Sequence, residues 1–146
     1  MYATYMKTPL ILTAILSLLF SCGQTEEISK EEPAARQAKA DAETFEVFNE
    51  QFHADSTFQV SRIAFPLEGQ QIDAFEERDW TPQNWQMMKM PVGAPLDTFE
   101  YKRNLEKTDS SVTEEIWVEE SGFRVERTFK LKDNKWFLTF YNDINI

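Results

Sequence analysis

The chain has 146 residues, about one domain's length, and its 25 acidic and 15 basic side chains give a formal net charge of −10 at pH 7. That balance argues against a nucleic-acid partner, whose phosphates demand a basic patch, and against charge-driven attachment to anionic lipid headgroups. One cysteine, Cys22, allows no intramolecular disulfide. With a single histidine it also leaves a transition-metal site short of ligands, so no metal and no cofactor is implied.

Taken in order, the chain begins with Lys7 and an apolar run from Pro9 to Phe20. The run is too short to cross a bilayer comfortably and has the size of a signal-peptide core. It ends in Leu19-Phe20-Ser21-Cys22, which resembles a bacterial lipobox. The resemblance implies a lipoprotein-type signal peptide over residues 1–21, cleavage before Cys22 and a diacylglycerol thioether on its sulfur. A further acyl chain of the palmitate class would sit on its amine. Two or more chains anchor a protein stably, whereas one holds it only marginally. The alternative is an uncleaved helix with an incidental cysteine. Met6-Lys7 is a more usual opening than Met1, so both starts stay open.

Residues 22–40 read as the lipidated cysteine and a flexible linker. Ile28 is the one large aliphatic side chain there, too little to bury a core. Glu26-Glu27 resembles the acidic sorting signal of some Bacteroidetes lipoproteins; a solvated linker is the plainer reading. The expected location is the bacterial cell envelope, lipid-anchored, at the outer membrane, with its periplasmic or surface face open. All 25 acidic side chains lie beyond Cys22, against 14 basic ones, so the mature chain is more acidic still.

Residues 41–146 read as one α+β domain. Phe45, Phe48 and Phe52 recur at helical spacing and put three rings on one face. Ser29-x-x-Glu32 and Pro33 would start that helix early, and it would run to about Ala54. Beside this face, Asp55 either caps the turn that follows or serves as a general base in a pocket. His53 falls on the flank, facing solvent. Gln59 to Leu67 alternates like a strand, with Arg62 beside Val60 and Phe58, either paired with a carboxylate such as Asp55 or reaching to water. Gln70 to Trp80 is weakly patterned. Thr81-Pro82 has the form of a helix start. The short helix would carry Trp85 and Met88, and with Trp80 it would either line an adaptable apolar site or close off a core.

The remainder alternates cleanly. Phe99, Tyr101, Arg103 and Leu105 form one series, then Val112, Glu114, Ile116 and Val118, then Phe123, Val125, Arg127, Phe129 and Leu131, then Trp136, Leu138 and Phe140. Polar turns separate them. Four such strands predict an antiparallel meander with one buried face. The last strand is apolar on both faces, which fits a central position or a second layer covering it.

A helix, a strand, a short helix and a terminal meander resemble the nuclear transport factor 2-like cone, in which a curved antiparallel sheet wraps the N-terminal helix. The ending Phe129-Lys-Leu-Lys-Asp-Asn-Lys-Trp-Phe-Leu-Thr-Phe-Tyr141 looks like the final hairpin common there. The run Phe45-x-x-Phe48-x-x-x-Phe52-x-x-Asp55-x-x-Phe58-Gln59-x-x-Arg62-Ile63-x-Phe65-Pro66-Leu67 is similar to domain of unknown function 4348, a family of small Bacteroidetes lipoproteins. These resemblances imply a fold and no activity, because the fold serves isomerases, dehydratases and binding modules alike.

The function expected is a non-catalytic binding or accessory module, joined to the membrane through lipid on Cys22. Its partner would be an unknown protein or a small apolar ligand, with Asp55, Arg62, Trp80, Trp85, Met88 and Tyr101 as candidate pocket residues. The alternatives are a structural subunit of an envelope assembly, or a cone-fold enzyme with Asp55 as base and Tyr101 as donor. No nucleophile triad, phosphate loop or metal-ligand spacing is present in the sequence.

Overall fold

The computed structural model describes residues 42–74 and 76–146, which lie within one compact unit. The residues read as signal peptide, lipidated Cys22 and linker lie outside the described residues.

Helix α1 spans Phe45–Ala54 and buries Phe45, Phe48 and Phe52, as the spacing predicts. It does not continue backwards through residues 42–44, because Thr44 is extended and Glu43 is bound elsewhere. Glu43 takes a bidentate pair from Arg62 at 2.9 and 3.1 Å and accepts from the Trp136 amide at 2.9 Å. Arg62 therefore pairs with Glu43 rather than with Asp55.

Asp55 leaves the helical region and caps a second helix, α2, Ser56–Ser61. Its carboxylate accepts from the Thr57 and Phe58 amides at 2.8 and 3.0 Å, the ordinary work of an N-cap aspartate. The strand expected from Gln59 therefore starts only at Ile63. Helix α2 turns Gln59 inward, where the side chain is fully buried, and its amide makes four hydrogen bonds. It donates to the carbonyls of Phe52 and Met88 and accepts from the Met88 amide and the Trp85 indole. An amide so satisfied is tolerated in a core.

The strands are β1 Ile63–Glu68, β2 Gln70–Asp73, β3 Glu76–Asp79, β4 Lys102–Lys107, β5 Ser111–Trp117, β6 Phe123–Lys132 and β7 Lys135–Asn145. They form a seven-stranded sheet ordered β3-β2-β7-β6-β5-β4, with β1 also on β7. The β4 to β7 meander is antiparallel, as expected. The sheet as a whole is mixed, because β1 and β2 run parallel to β7. The doubly apolar last strand is central. At the β1–β2 turn Gly69 has φ +94°, and a Cβ there would strike the Tyr141 carbonyl, so only glycine fits.

Two other elements differ from expectation. Thr81-Pro82 opens a single turn and no helix: Thr81 and Asn84 exchange hydrogen bonds between side chain and amide, and the chain then runs irregularly. The segment at Phe99 is also a turn, set by Asp97, whose carboxylate accepts from the Phe99 amide and whose carbonyl accepts from Tyr101. Phe99 is consequently 94% exposed.

The α1 rings pack edge-on against the sheet. Phe129 lies 5.7, 5.6 and 5.4 Å from Phe45, Phe48 and Phe52, and Trp136 lies 5.0 Å from Phe45. Such pairs add to the area they bury. Phe48→Ala should lower the unfolding free energy by about 3–5 kcal/mol in urea titrations, and Val47→Ala, on the exposed side of the same helix, by less than about 0.5 kcal/mol. Equal losses would place the core elsewhere.

Candidate functional site

The ladder registers sort the helix-facing side of the sheet into rows. One row carries Val112 opposite Phe129, with Leu138 next, and it lies beneath α1. The next holds Glu114, Arg127 and Tyr141. Beyond it lie Arg103, Ile116, Val125 and Asp143. A register shift between Thr128 and Phe129 moves the inward face of β7 from Trp136 and Leu138 to Tyr141 and Asp143. A one-residue shift exchanges the faces of a strand, so a strict alternation through Phe140 does not hold.

Glu114 and Arg127 are 1% and 3% exposed. Arg127 Nε and Nη2 donate to Glu114 Oε2 at 2.9 and 2.5 Å. The third nitrogen, Nη1, donates to the Met90 carbonyl at 2.8 Å and meets His53 Nε2 at 3.1 Å. Arg103 completes the group, its Nε 3.1 Å from Glu114 Oε1. His53 is thus buried, not on a solvent-facing flank: α1 turns it into the gap beside Phe52, toward Arg127. Its Nδ1 lies 2.7 Å from the Asn49 carbonyl and must donate. Nε2 is then bare and accepts from Arg127, so one neutral tautomer satisfies both contacts. Burial, with the adjacent guanidinium, pushes its pKa down to about 4, against the raising effects of the Asn49 carbonyl and Glu114.

The same side chains hold the irregular segment 85–94 against the sheet. Gln59 binds Met88 on both backbone groups, and Asn49 does the same for Val92 at 3.0 and 3.1 Å. Arg127 binds the Met90 carbonyl, Glu114 accepts from the Gly93 amide at 2.8 Å, and Arg103 donates to the Ala94 carbonyl at 2.7 Å. Gly93, at φ +77°, makes the turn in which Ala94 bonds back to Pro91. Buried backbone outside helix or sheet needs such partners.

Beyond this polar row lies an apolar pocket of about 320 Å³, lined by Met90, Leu96, Tyr101, Ile116, Phe123 and Val125. Tyr101 and Phe123 meet edge to face at 5.7 Å. On the β7 side, burial pushes up both the Tyr141 hydroxyl, which Asp143 raises further, and the Asp143 carboxyl, which Tyr141 partly offsets by a hydrogen bond.

Of the candidate residues, Tyr101 alone lines this pocket. Asp55 is exposed and occupied as a cap. Arg62 lies over the Phe58 ring at 4.7 Å and binds Glu43. Trp80 stacks on Tyr141 at 4.9 Å and donates to the Tyr141 carbonyl, Trp85 donates to Gln59, and Met88 is buried. These three close the core rather than the pocket. The network residues missed are Asn49, Gln59, Arg103, Glu114 and Arg127. Glu114 and Arg127 had a signal, each being a charge within an apolar strand series.

No family model and no curated protein matches the chain. Solved structures do. A nuclear transport factor 2-like protein from Bacteroides fragilis is 23% identical over 72% of this chain and 48% of its own, with a TM-score of 0.50. A cystatin-like protein from Bacteroides caccae is 22% identical over 70% of this chain and 76% of its own, with a TM-score of 0.53. A protein from Bacteroides uniformis is 25% identical over 71% and 77%, with a TM-score of 0.50. The match thus spans about half the length of the first. These likenesses show the nuclear transport factor 2-like fold.

His53 makes stability depend on pH. Its folded pKa lies below the unfolded value, so its contribution is complete above about pH 6.5 and is lost as pH falls towards 4. Urea titrations across that window should show a loss of up to about 3 kcal/mol from this group. His53→Gln should flatten the profile between pH 6.5 and 4; a wild-type profile equally flat would contradict the buried neutral tautomer.

Proposed function

We propose that the protein is a lipid-anchored binding module of the bacterial cell envelope whose folded domain takes a small, mainly apolar ligand beneath the Met90–Leu96 segment. The observation that carries the reading is the pocket itself. The helix half of the sheet face is filled by Phe45, Phe48, Phe52, Phe129 and Leu138, whereas the half beyond Arg127 keeps about 320 Å³ open. That volume is at the lower end of small-ligand sites, roughly 300–1,000 Å³, and an apolar lining with a few polar neighbours is their usual character. The anchor rests on the lipobox resemblance at Leu19-Phe20-Ser21-Cys22.

A binding role is favoured over a catalytic one by what the polar groups already do. Asp55 caps α2, and Glu114, Arg127 and His53 are bonded to one another and to the backbone. One observation favours the enzyme alternative: Tyr141 and Asp143, both with raised pKa, stand on the pocket side of the sheet.

Two experiments test the proposal. Cys22→Ser should abolish incorporation of a clickable palmitate analogue in a bacterial host and move the protein out of the membrane fraction; continued labelling would refute the anchor. On the full chain carrying Cys22→Ser, the neutral probe N-phenyl-1-naphthylamine should bind, and Val125→Trp should weaken it at least tenfold without lowering Tm. Unchanged binding would put the ligand elsewhere.

A further inference from the structure

The buried polar cluster beside the pocket holds unequal charge. Arg103 and Arg127 are guanidinium cations under all ordinary conditions. Glu114 supplies one carboxylate between them, at 3.1 Å and 2.5 Å. His53, with its pKa near 4, adds no charge at neutral pH. Among these four side chains one positive charge is left over. Arg127 is enclosed, with donors committed to Glu114, Met90 and His53. Arg103 differs: its side chain keeps 21% exposure, and its Nε, although within ion-pair distance of Glu114, has no aligned hydrogen-bond acceptor. It is the one buried side-chain nitrogen or oxygen among the described residues left in that state. That nitrogen is enclosed beside the Glu114 carboxylate and is closed to a ligand; what Arg103 can offer one is the rest of its side chain, which keeps the exposure.

Arg103 borders the pocket lining without being part of it. It is directly opposite Ile116 in the ladder, and Ile116 and Val125 form the pocket floor. Its Nη2 bonds the Ala94 carbonyl, in the segment that supplies Met90 and Leu96 to the pocket wall. Beyond Val125, at the far end of the same row, is Asp143, with Tyr141 beside it. A carboxyl there disfavours an anion at that end. Positive charge at the β4 side, an apolar floor and a carboxyl at the β7 side define an orientation for a ligand.

We infer that the pocket takes an organic monocarboxylate with a compact apolar body, its acid group at Arg103 and its apolar end towards Phe123 and Val125. This rests on the pocket being the ligand site proposed above. Guanidinium suits the acid because it offers parallel donors to two oxygens, and a partly desolvated ion pair is far stronger than one in water.

The test is isothermal titration of the full chain carrying Cys22→Ser at pH 8 with octanoate, 1-octanol and octylamine, which share one apolar body. Octanoate should bind at least tenfold tighter than 1-octanol, and octylamine more weakly than either. Arg103→Gln should erase the difference between acid and alcohol, and Arg103→Lys should keep at least part of it, with Tm confirming that both variants fold. Equal binding of acid and alcohol to the unaltered pocket would overturn the inference and leave the apolar site standing. A preference surviving in Arg103→Gln would also overturn it. No binding of any of the three would remove both the inference and the pocket's role as a ligand site.

Discussion

The Arg127–Glu114 pair is the constraint on which the rest of the domain depends. Two charges this deeply buried lose their hydration, and the loss is offset only when every donor and acceptor is matched. The pair therefore dictates its surroundings. It requires a neutral His53 in one tautomer, which fixes α1 in rotation about its axis. It also requires the Met90 carbonyl and the Gly93 amide, which brings an irregular segment across the sheet. Truncating Glu114 would leave Arg127 a buried cation without a counter-ion, a far larger disturbance than removal of an exposed ion pair such as Lys107–Glu46.

That irregular segment is built by side chains where a helix would have used its own backbone. Between Met88 and Ala94, five residues are gripped by Gln59, Arg127, Asn49, Glu114 and Arg103, which come from both helices and from three adjacent strands. A helix begun at Thr81-Pro82 would have directed the Met88 and Met90 backbone groups along its own axis, away from Gln59 and Arg127, leaving buried polar atoms of those side chains unmatched. The tertiary demand outweighs the local start signal, because a cap is worth about 1 kcal/mol and several unmatched buried polar groups cost more.

Much of the fold was legible because it rests on periodicity. The Phe45, Phe48 and Phe52 face, the β4 to β7 meander and the central place of the doubly apolar last strand all follow from spacing. What was not legible rests on contacts distant in sequence. Asp55 and Gln59 turn an apparently alternating stretch into helix α2, and the reason lies at Met88, 29 residues away. The parallel pairing of β1 and β2 with β7 left no local trace either. Glu114 and Arg127 were visible as charges in apolar series on neighbouring strands. Their opposite signs at inward positions were the clue to the site, and the aromatic and sulfur-rich stretch from Trp80 to Met90 drew attention instead.

The arrangement that holds the segment in place also bears on what the pocket can do. A wall sealed by apolar contacts alone could close onto the sheet and fill the space. Here the backbone of Met88, Met90, Val92, Gly93 and Ala94 is set at fixed distances by polar side chains, so the wall stands off from Ile116 and Val125. A pocket propped open in this way loses little freedom when a ligand enters, which favours affinity from a small contact area. Three of these props, Arg103, Glu114 and Arg127, are charged, and their sum is positive. If the pocket takes an acid as inferred, its shape and that preference are two results of one buried network, and a change at Arg103 then alters selectivity whereas a change at Arg127 alters the fold.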